Sequence, residues 1–181
     1  MASGDPPVGY RLIVLVGFMG SGKSTVGSLV AARLGWSFLD FDDEIERRAG
    51  LSVEEIFRQR GEAPFRTLEA EVGEEILRTE RTVLATGGGW AAAPGRMEAL
   101  DAGTLSVWLD VSAGTAVRRL REGGRPRPLL GVPDASEAAE RLLEARRAWY
   151  GRARLRLDVE GASPEALAEE ICRNAVSGSD P

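Results

Sequence analysis

The sequence predicts an α/β protein, a three-layer αβα arrangement around a five-stranded parallel sheet. Three observations carry that expectation. Five short β-type runs recur along the chain, helical segments lie between them, and a glycine-rich loop joins the first run to the first helix. Strands that alternate with helices connect through right-handed crossovers, so the strands run parallel and helices cover both faces. Ligands then bind beyond the carboxyl ends of the strands.

The elements follow in order. Arg11 to Val16 (RLIVLV) is the first strand, and Lys23 to Leu34 is the first helix, with Gly35 suited to the position just past its end. Ser37 to Asp40 is the second strand. Ser52 and Glu55 form a capping box ahead of Ile56 and Phe57, and Gly61 ends that helix. A longer helix runs from Glu62 to Arg78, followed by strands at Thr82 to Ala85 and Thr104 to Leu109 (TLSVWL). Ser112 caps a helix reaching Arg121, another spans Pro133 to Tyr150, and a strand covers Arg154 to Val159. Pro164 opens the last helix as a first-turn proline. Trp36, Trp90, Trp108 and Trp149 are read as packing residues, Trp108 because it lies inside an apolar strand.

A chain of 181 residues with no visible linker fits one domain, with short tails over about 1–9 and 177–181. Its net charge of −5 argues against a general nucleic-acid or membrane-surface role, which normally goes with a basic excess. Arg118, Arg119, Arg121, Arg125 and Arg127 nevertheless cluster, which leaves room for a local anion site. The one cysteine, Cys172, excludes an internal disulfide and a thiolate metal cluster, fits a reducing compartment, and is expected to be buried in a helix. With no histidine, proton transfer falls to carboxylates or to the substrate. The first ten residues hold no apolar segment of the signal-peptide kind, and the longest apolar run, Leu12 to Met19, is too short to cross a bilayer. A cytoplasmic protein is expected.

After the first strand comes GFMGSGKST, in which Gly17, Gly22, Lys23 and Ser24 fit G-x-x-x-x-G-K-[ST]. Glycines let backbone N–H groups curl around a phosphate chain, and the helix that follows aims its positive end at the same anion. Gly20, Ser21, Gly22, Lys23, Ser24 and Thr25 are the phosphate-binding candidates. Lys23 adds a full charge at the β- and γ-phosphates, and the Ser24 hydroxyl is a ligand for Mg²⁺. A strand before the motif and a helix after it are the context that this chemistry requires.

The stretch FLDFDDE, Phe38 to Glu44, ends the second strand in carboxylates. On residue pattern alone it reads as a solvated turn with Asp42 or Asp43 capping a helix. A bound Mg-nucleotide changes the reading. An acid at a strand end completes the metal shell, which places Asp40 with Ser24, and Asp42 then faces a second substrate. Asp40 and Asp42 point the same way for as long as the segment stays extended. Asp43 is left to cap a helix beginning at Glu44.

Together the segments GFMGSGKST, FLDFDDEIERRAG, IFRQRGEAPFRTLE, LATGGGW, GGRPRPLL and RRAWY resemble the shikimate kinase family over about Leu12 to Glu170. The resemblance implies a P-loop kinase fold with a mobile lid, placed here at about 121–133, and a substrate-binding helical region at about 42–70. It implies transfer of the γ-phosphoryl group of ATP, with Mg²⁺, to the 3-hydroxyl of shikimate, in a protein that works as a monomer. By the same resemblance Asp42 holds the acceptor hydroxyl or acts as base, while Arg66 and Arg146 grip the acceptor carboxylate. Gly87, Gly88 and Gly89 bring backbone close to the acceptor, and Arg127 closes over the phosphates, with Arg125 able to share that role. Arg119 stacks on adenine, Pro164 touches the base, and Phe57 and Phe65 wall the acceptor pocket. On spacing alone Arg66 also fits a helix-surface ion pair with Glu62 or Glu69, and Phe57 and Phe65 also fit the core. A gluconate-type kinase, or a nucleotide-binding regulator without transfer chemistry, are the alternative functions.

Overall fold

The computed structural model describes residues 9–123 and 134–177. Five parallel strands form one sheet: β1 (Leu12–Val16), β2 (Ser37–Asp40), β3 (Thr82–Ala85), β4 (Thr104–Asp110) and β5 (Leu155–Asp158). Their order across the sheet is β2-β3-β1-β4-β5. The three inner strands are almost wholly buried, and the edge strands β2 and β5 are only partly so. This follows from their sequences: LIVLV and TLSVWLD read as apolar runs, whereas LRLD alternates, as half-exposed strands do.

The helices are α1 (Lys23–Leu34), α2 (Phe41–Ala49), α3 (Val53–Arg60), α4 (Glu62–Ile76), α5 (Ala113–Glu122), α6 (Ala135–Tyr150) and α7 (Pro164–Ser177), with a short 3₁₀ turn at Trp90–Ala92. The chain leaves β1 toward β2 on one side and returns through β3 toward β4 on the other. Right-handed crossovers therefore put α1 and α2–α4 on opposite faces of the sheet. Helix α1 packs against α7, α3 against α4, and α5 against α6.

Most of the expected elements appear within one or two residues of their expected ends. Gly35 ends α1 in the left-handed conformation at φ 64°, and Ser52 with Glu55 makes both hydrogen bonds of a capping box. Helix α4 stops at Ile76 rather than Arg78, and the part of α6 within the described residues starts at Ala135 under an Asp134 cap. Cys172 lies on α7 but is only half-buried.

One expectation is corrected. The helix after β2 begins at Phe41, not Glu44, and its cap is Asp40, not Asp42 or Asp43. The Asp40 carboxylate accepts from the Asp42 backbone N–H at 3.1 Å. Extended geometry ends at Asp40, so Asp42 is set by helical rather than strand spacing. Phe41 drives the early start, because its ring is fully buried and packs edge-on against Trp90, with centroids 6.3 Å apart.

Strand register places the site. Asp40 pairs with Ala85, Ala85 with Leu15, and Leu15 with Val107, so these residues form one row across the sheet. Two residues beyond that row the chain reaches Asp42 after β2, Gly87 after β3 and Gly17 after β1. Three separate segments thus emerge side by side at the carboxyl edge, where the direction of strand succession reverses.

Candidate active site

A cavity of about 550 Å³ opens at this edge. One end is formed by the loop between β1 and α1, through Met19, Gly20, Gly22, Lys23 and Ser24. Gly17 has φ 142°, and a Cβ there would lie 2.6 Å from the Leu109 carbonyl oxygen. Gly20 has φ 76°, and a Cβ there would lie 2.9 Å from the Ala116 carbonyl oxygen. At both positions glycine is needed for the backbone angle and for the close approach to β4 and α5. The curl leaves Gly22 as the residue before α1, in the left-handed conformation at φ 94°. Gly22, Lys23, Ser24 and Thr25 line the cavity, so the positive end of α1 points into it.

Lys23 is the only lysine in the sequence. Its side chain is buried beneath the loop, where Nζ donates to the carbonyls of Gly17 and Phe18, both at 2.9 Å. Ser24 Oγ donates to Asp40 Oδ2 at 2.5 Å, which ties α1 to the end of β2. Asp40 thus has two roles, as helix cap through one oxygen and as partner of Ser24 through the other. A hydroxyl and a carboxylate held together offer hard oxygen donors, the kind that suit Mg²⁺. No group of three or more His, Cys, Asp or Glu that could hold a metal occurs among the described residues.

The other end of the cavity is lined by Asp42, Phe57, Phe65, Arg66, Gly87, Gly88, Gly89 and Arg146, joined by Asp43, Val53 and Glu69. A Cβ at Gly87 would lie 2.9 Å from Asp42 Oδ1, and one at Gly89 would lie 3.4 Å from Arg146 Nη2. The glycine run is what lets a carboxylate and a guanidinium close onto the same backbone. Phe57 and Phe65 stack with centroids 4.5 Å apart, Phe65 buried and Phe57 exposed to the cavity side. Phe65 is thus both core and cavity wall, whereas Phe57 is cavity wall and not core.

Arg66 makes the ion pairs that its helical spacing predicts and also faces the cavity. It lines the cavity and bonds to Glu69 at 2.9 Å through Nη1 and to Glu62 at 3.2 Å through Nη2. Burial pulls the Arg66 pKa down, and the hydrogen bonds and charges of Glu69 and Glu62 more than offset this, leaving it raised. Glu69 is itself buried, so it acts as a fixed anchor for the guanidinium. The sequence showed it only as a helical neighbour of Arg66. Arg146 Nη1 donates to the Gly88 carbonyl at 3.0 Å, and the Tyr150 hydroxyl donates to the same oxygen.

A second, smaller cavity of about 220 Å³ lies across the loop, lined by Ser21, Gly22, Thr25, Arg119 and Pro164 among others. Arg119 is held there by hydrogen bonds to the carbonyls of Gly20 at 3.2 Å and Val159 at 3.5 Å. Gly22 and Thr25 line both cavities, so the two adjoin at the phosphate loop. Every candidate residue within the described region therefore lines one cavity or the other. Arg125 and Arg127, with most of the expected lid at about 121–133, lie outside the described residues. Trp90 does not line the cavity; it is fully buried, consistent with a packing residue.

The chain is similar to known proteins in both sequence and fold. The family model described as "Shikimate kinase" matches residues 19–175. A shikimate kinase of Synechococcus sp. (strain CC9902) is 42% identical over 161 residues, covering 89% of this chain and 84% of that protein. The solved shikimate kinase from Acinetobacter baumannii, in complex with shikimate, superposes with a TM-score of 0.85 at 35% identity, covering 94% of this chain and 95% of that one. A gluconokinase from Sinorhizobium meliloti reaches a TM-score of 0.55 at 23% identity over 95% of this chain and 93% of that one, and so shares the fold alone. A phosphate loop at one end, a carboxylate and two arginines at the other and a family match over nearly the whole chain lead to one conclusion: the chain belongs to the shikimate kinase family.

Proposed function

We infer that the protein transfers the γ-phosphoryl group of ATP to the 3-hydroxyl of shikimate, giving shikimate 3-phosphate and ADP. The observation that carries this reading is that one cavity holds the phosphate loop together with Asp42, Arg66 and Arg146. An acceptor with one carboxylate and several hydroxyls matches two guanidiniums and one carboxylate. Guanidiniums pair with a carboxylate in bidentate fashion, and an aspartate accepts from hydroxyls.

In this reading the backbone donors of Gly20 to Thr25 cradle the phosphates, and Lys23 brings a full positive charge to the β- and γ-phosphates. Arg119 and Pro164 enclose the adenine in the adjoining cavity. Ser24 and Asp40 hold Mg²⁺, which when bound neutralises phosphate charge. Arg66 and Arg146 grip the acceptor carboxylate, with the backbone of Gly87, Gly88 and Gly89 alongside, and Asp42 accepts a hydrogen bond from the hydroxyl that attacks phosphorus. Positioning and charge stabilisation do most of the work in phosphoryl transfer, so these roles suffice without a histidine. Arg127, outside the described residues, is assigned on its sequence match alone to offset charge on the transferring group, within a lid at about 121–133.

The chain is read as one kinase domain over 1–181, with 42–70 as the acceptor-side helical region. It is read as a cytoplasmic monomer that works on small molecules rather than on nucleic acid or membranes. The net charge of −5 argues against a nucleic-acid or membrane-surface role, and no helix among the described residues is long and apolar enough to cross a membrane. The test is ADP release, followed by a coupled assay with shikimate, with gluconate and with no acceptor. ADP release that depends on shikimate is the expected result, and equal rates in all three arms would overturn the assignment.

A further inference from the structure

We propose that Tyr150 is a positioning residue for the acceptor carboxylate and acts through Arg146. The inference rests on the reading of Arg146 as a carboxylate-binding residue. Arg146 and Tyr150 are four residues apart on α6 and so lie one above the other on the same helix face. Both donate to one acceptor, the Gly88 carbonyl, Arg146 through Nη1 at 3.0 Å. A carbonyl oxygen has two lone pairs, so the two donors fill it. The phenol is fully buried and its ring packs against Trp108, with centroids 6.1 Å apart. Burial raises its pKa, partly opposed by the charge and hydrogen bond of Arg146, and it stays a neutral donor at ordinary pH.

The two acceptor-side arginines are therefore held in different ways. Arg66 is anchored by the carboxylates of Glu62 and Glu69, whereas no carboxylate pairs with Arg146 among the described residues. Arg146 is fixed instead by a carbonyl and a phenol, neither of which neutralises it. Its charge stays available to an incoming anion while its orientation is set. Tyr150 supplies that orientation at no electrostatic cost to the ligand, a service that a glutamate in its place would cancel.

The test compares Tyr150→Phe, Arg146→Ala and the double variant by steady-state kinetics in both substrates. Phenylalanine keeps the ring and its contact with Trp108, and a thermal melt checks folding; Tyr150→Leu is a second hydroxyl-free variant. Loss of one hydrogen bond to a charged-group network predicts a rise of about tenfold in the KM for shikimate. The kcat and the KM for ATP stay within about twofold, and Tyr150→Phe adds nothing in the Arg146→Ala background. With an acceptor whose carboxylate is reduced to a hydroxymethyl group, parent and Tyr150→Phe should behave alike. An equal penalty with and without Arg146, or a fall in kcat with unchanged KM for shikimate, would overturn the proposal. If Arg146→Ala itself leaves the KM for shikimate unchanged, the carboxylate role of Arg146 falls, and the positioning role of Tyr150 with it.

Discussion

The two ends of the active-site cavity are made of different materials. The phosphate loop at one end is a single unbroken run of chain whose groups are mostly backbone, shaped by Gly17, Gly20 and Gly22 at positive φ. The acceptor end is made largely of side chains, with Asp42 from α2, Arg66 and Glu69 from α4 and Arg146 from α6, set against the glycines after β3. A phosphate chain is much the same in every nucleotide, so a local curl of N–H groups serves it. A particular acceptor needs charges at particular places, and only several elements meeting at a sheet edge can supply them.

If the two ends are separable, substitutions should sort by end. The largest effect is expected for Lys23→Met, which should lower turnover on the order of a thousandfold with little change in the KM for shikimate. Asp42→Asn should cost about a hundredfold or more in turnover while leaving ATP affinity intact. Equilibrium binding of each ligand beside initial rates checks both, and loss of ATP binding in Asp42→Asn would break the separation. A sharper version uses one chemical change twice. Gly20→Ala strains a left-handed position and presses on the Ala116 carbonyl, whereas Gly87→Ala presses on the Asp42 carboxylate. The first should raise the KM for ATP about tenfold and the second the KM for shikimate by a similar or smaller factor. Crossed effects would show that the glycine loops move as one.

The smallest effect concerns the helix that carries Asp42. The hydrogen bond from Arg47 is the main force that lowers the Glu44 pKa from 4.5 to about 2; burial opposes it and Arg48 adds to it. Arg48 also pairs with Glu75 on α4 at 2.7 Å, so Glu44 belongs to a bridge between α2 and α4. A carboxylate with a depressed folded-state pKa contributes stability that is fully present above about pH 4.5 and is lost as the pH falls through about 2. Glu44→Gln should thus cost about 1 kcal/mol at neutral pH and flatten the acid limb of a stability curve over that window, with kinetics unchanged. An acid limb identical to the parent's would show that α2 is held without this carboxylate.

The same division explains what could be read from residues alone. The strands of the sheet and the caps at Gly35, Ser52 and Ser112 were legible because their signals are local, as was the whole phosphate loop. The start of α2 was not, since Asp40, Asp42 and Asp43 are all competent caps and the choice depends on where β2 stops pairing with β3 and on the burial of Phe41. Arg66 and Arg146 entered through family resemblance, because helical spacing by itself predicts a surface ion pair for the first. Glu69 and Tyr150 lie inside the quoted segments IFRQRGEAPFRTLE and RRAWY, and Glu69 is a helical neighbour of Arg66, but nothing local marks their anchoring roles. They become visible only when α4 and α6 are seen to face the backbone that follows β3.

The solitary lysine has a practical consequence. All of the chain's other basic side chains are arginines, which lack a primary amine. Within these 181 residues, an isothiocyanate or aldehyde probe therefore meets one ε-amine, the one tucked under Gly17 and Phe18. Any nucleotide that shields it converts the bulk extent of side-chain labelling into a direct measure of how many molecules hold a ligand.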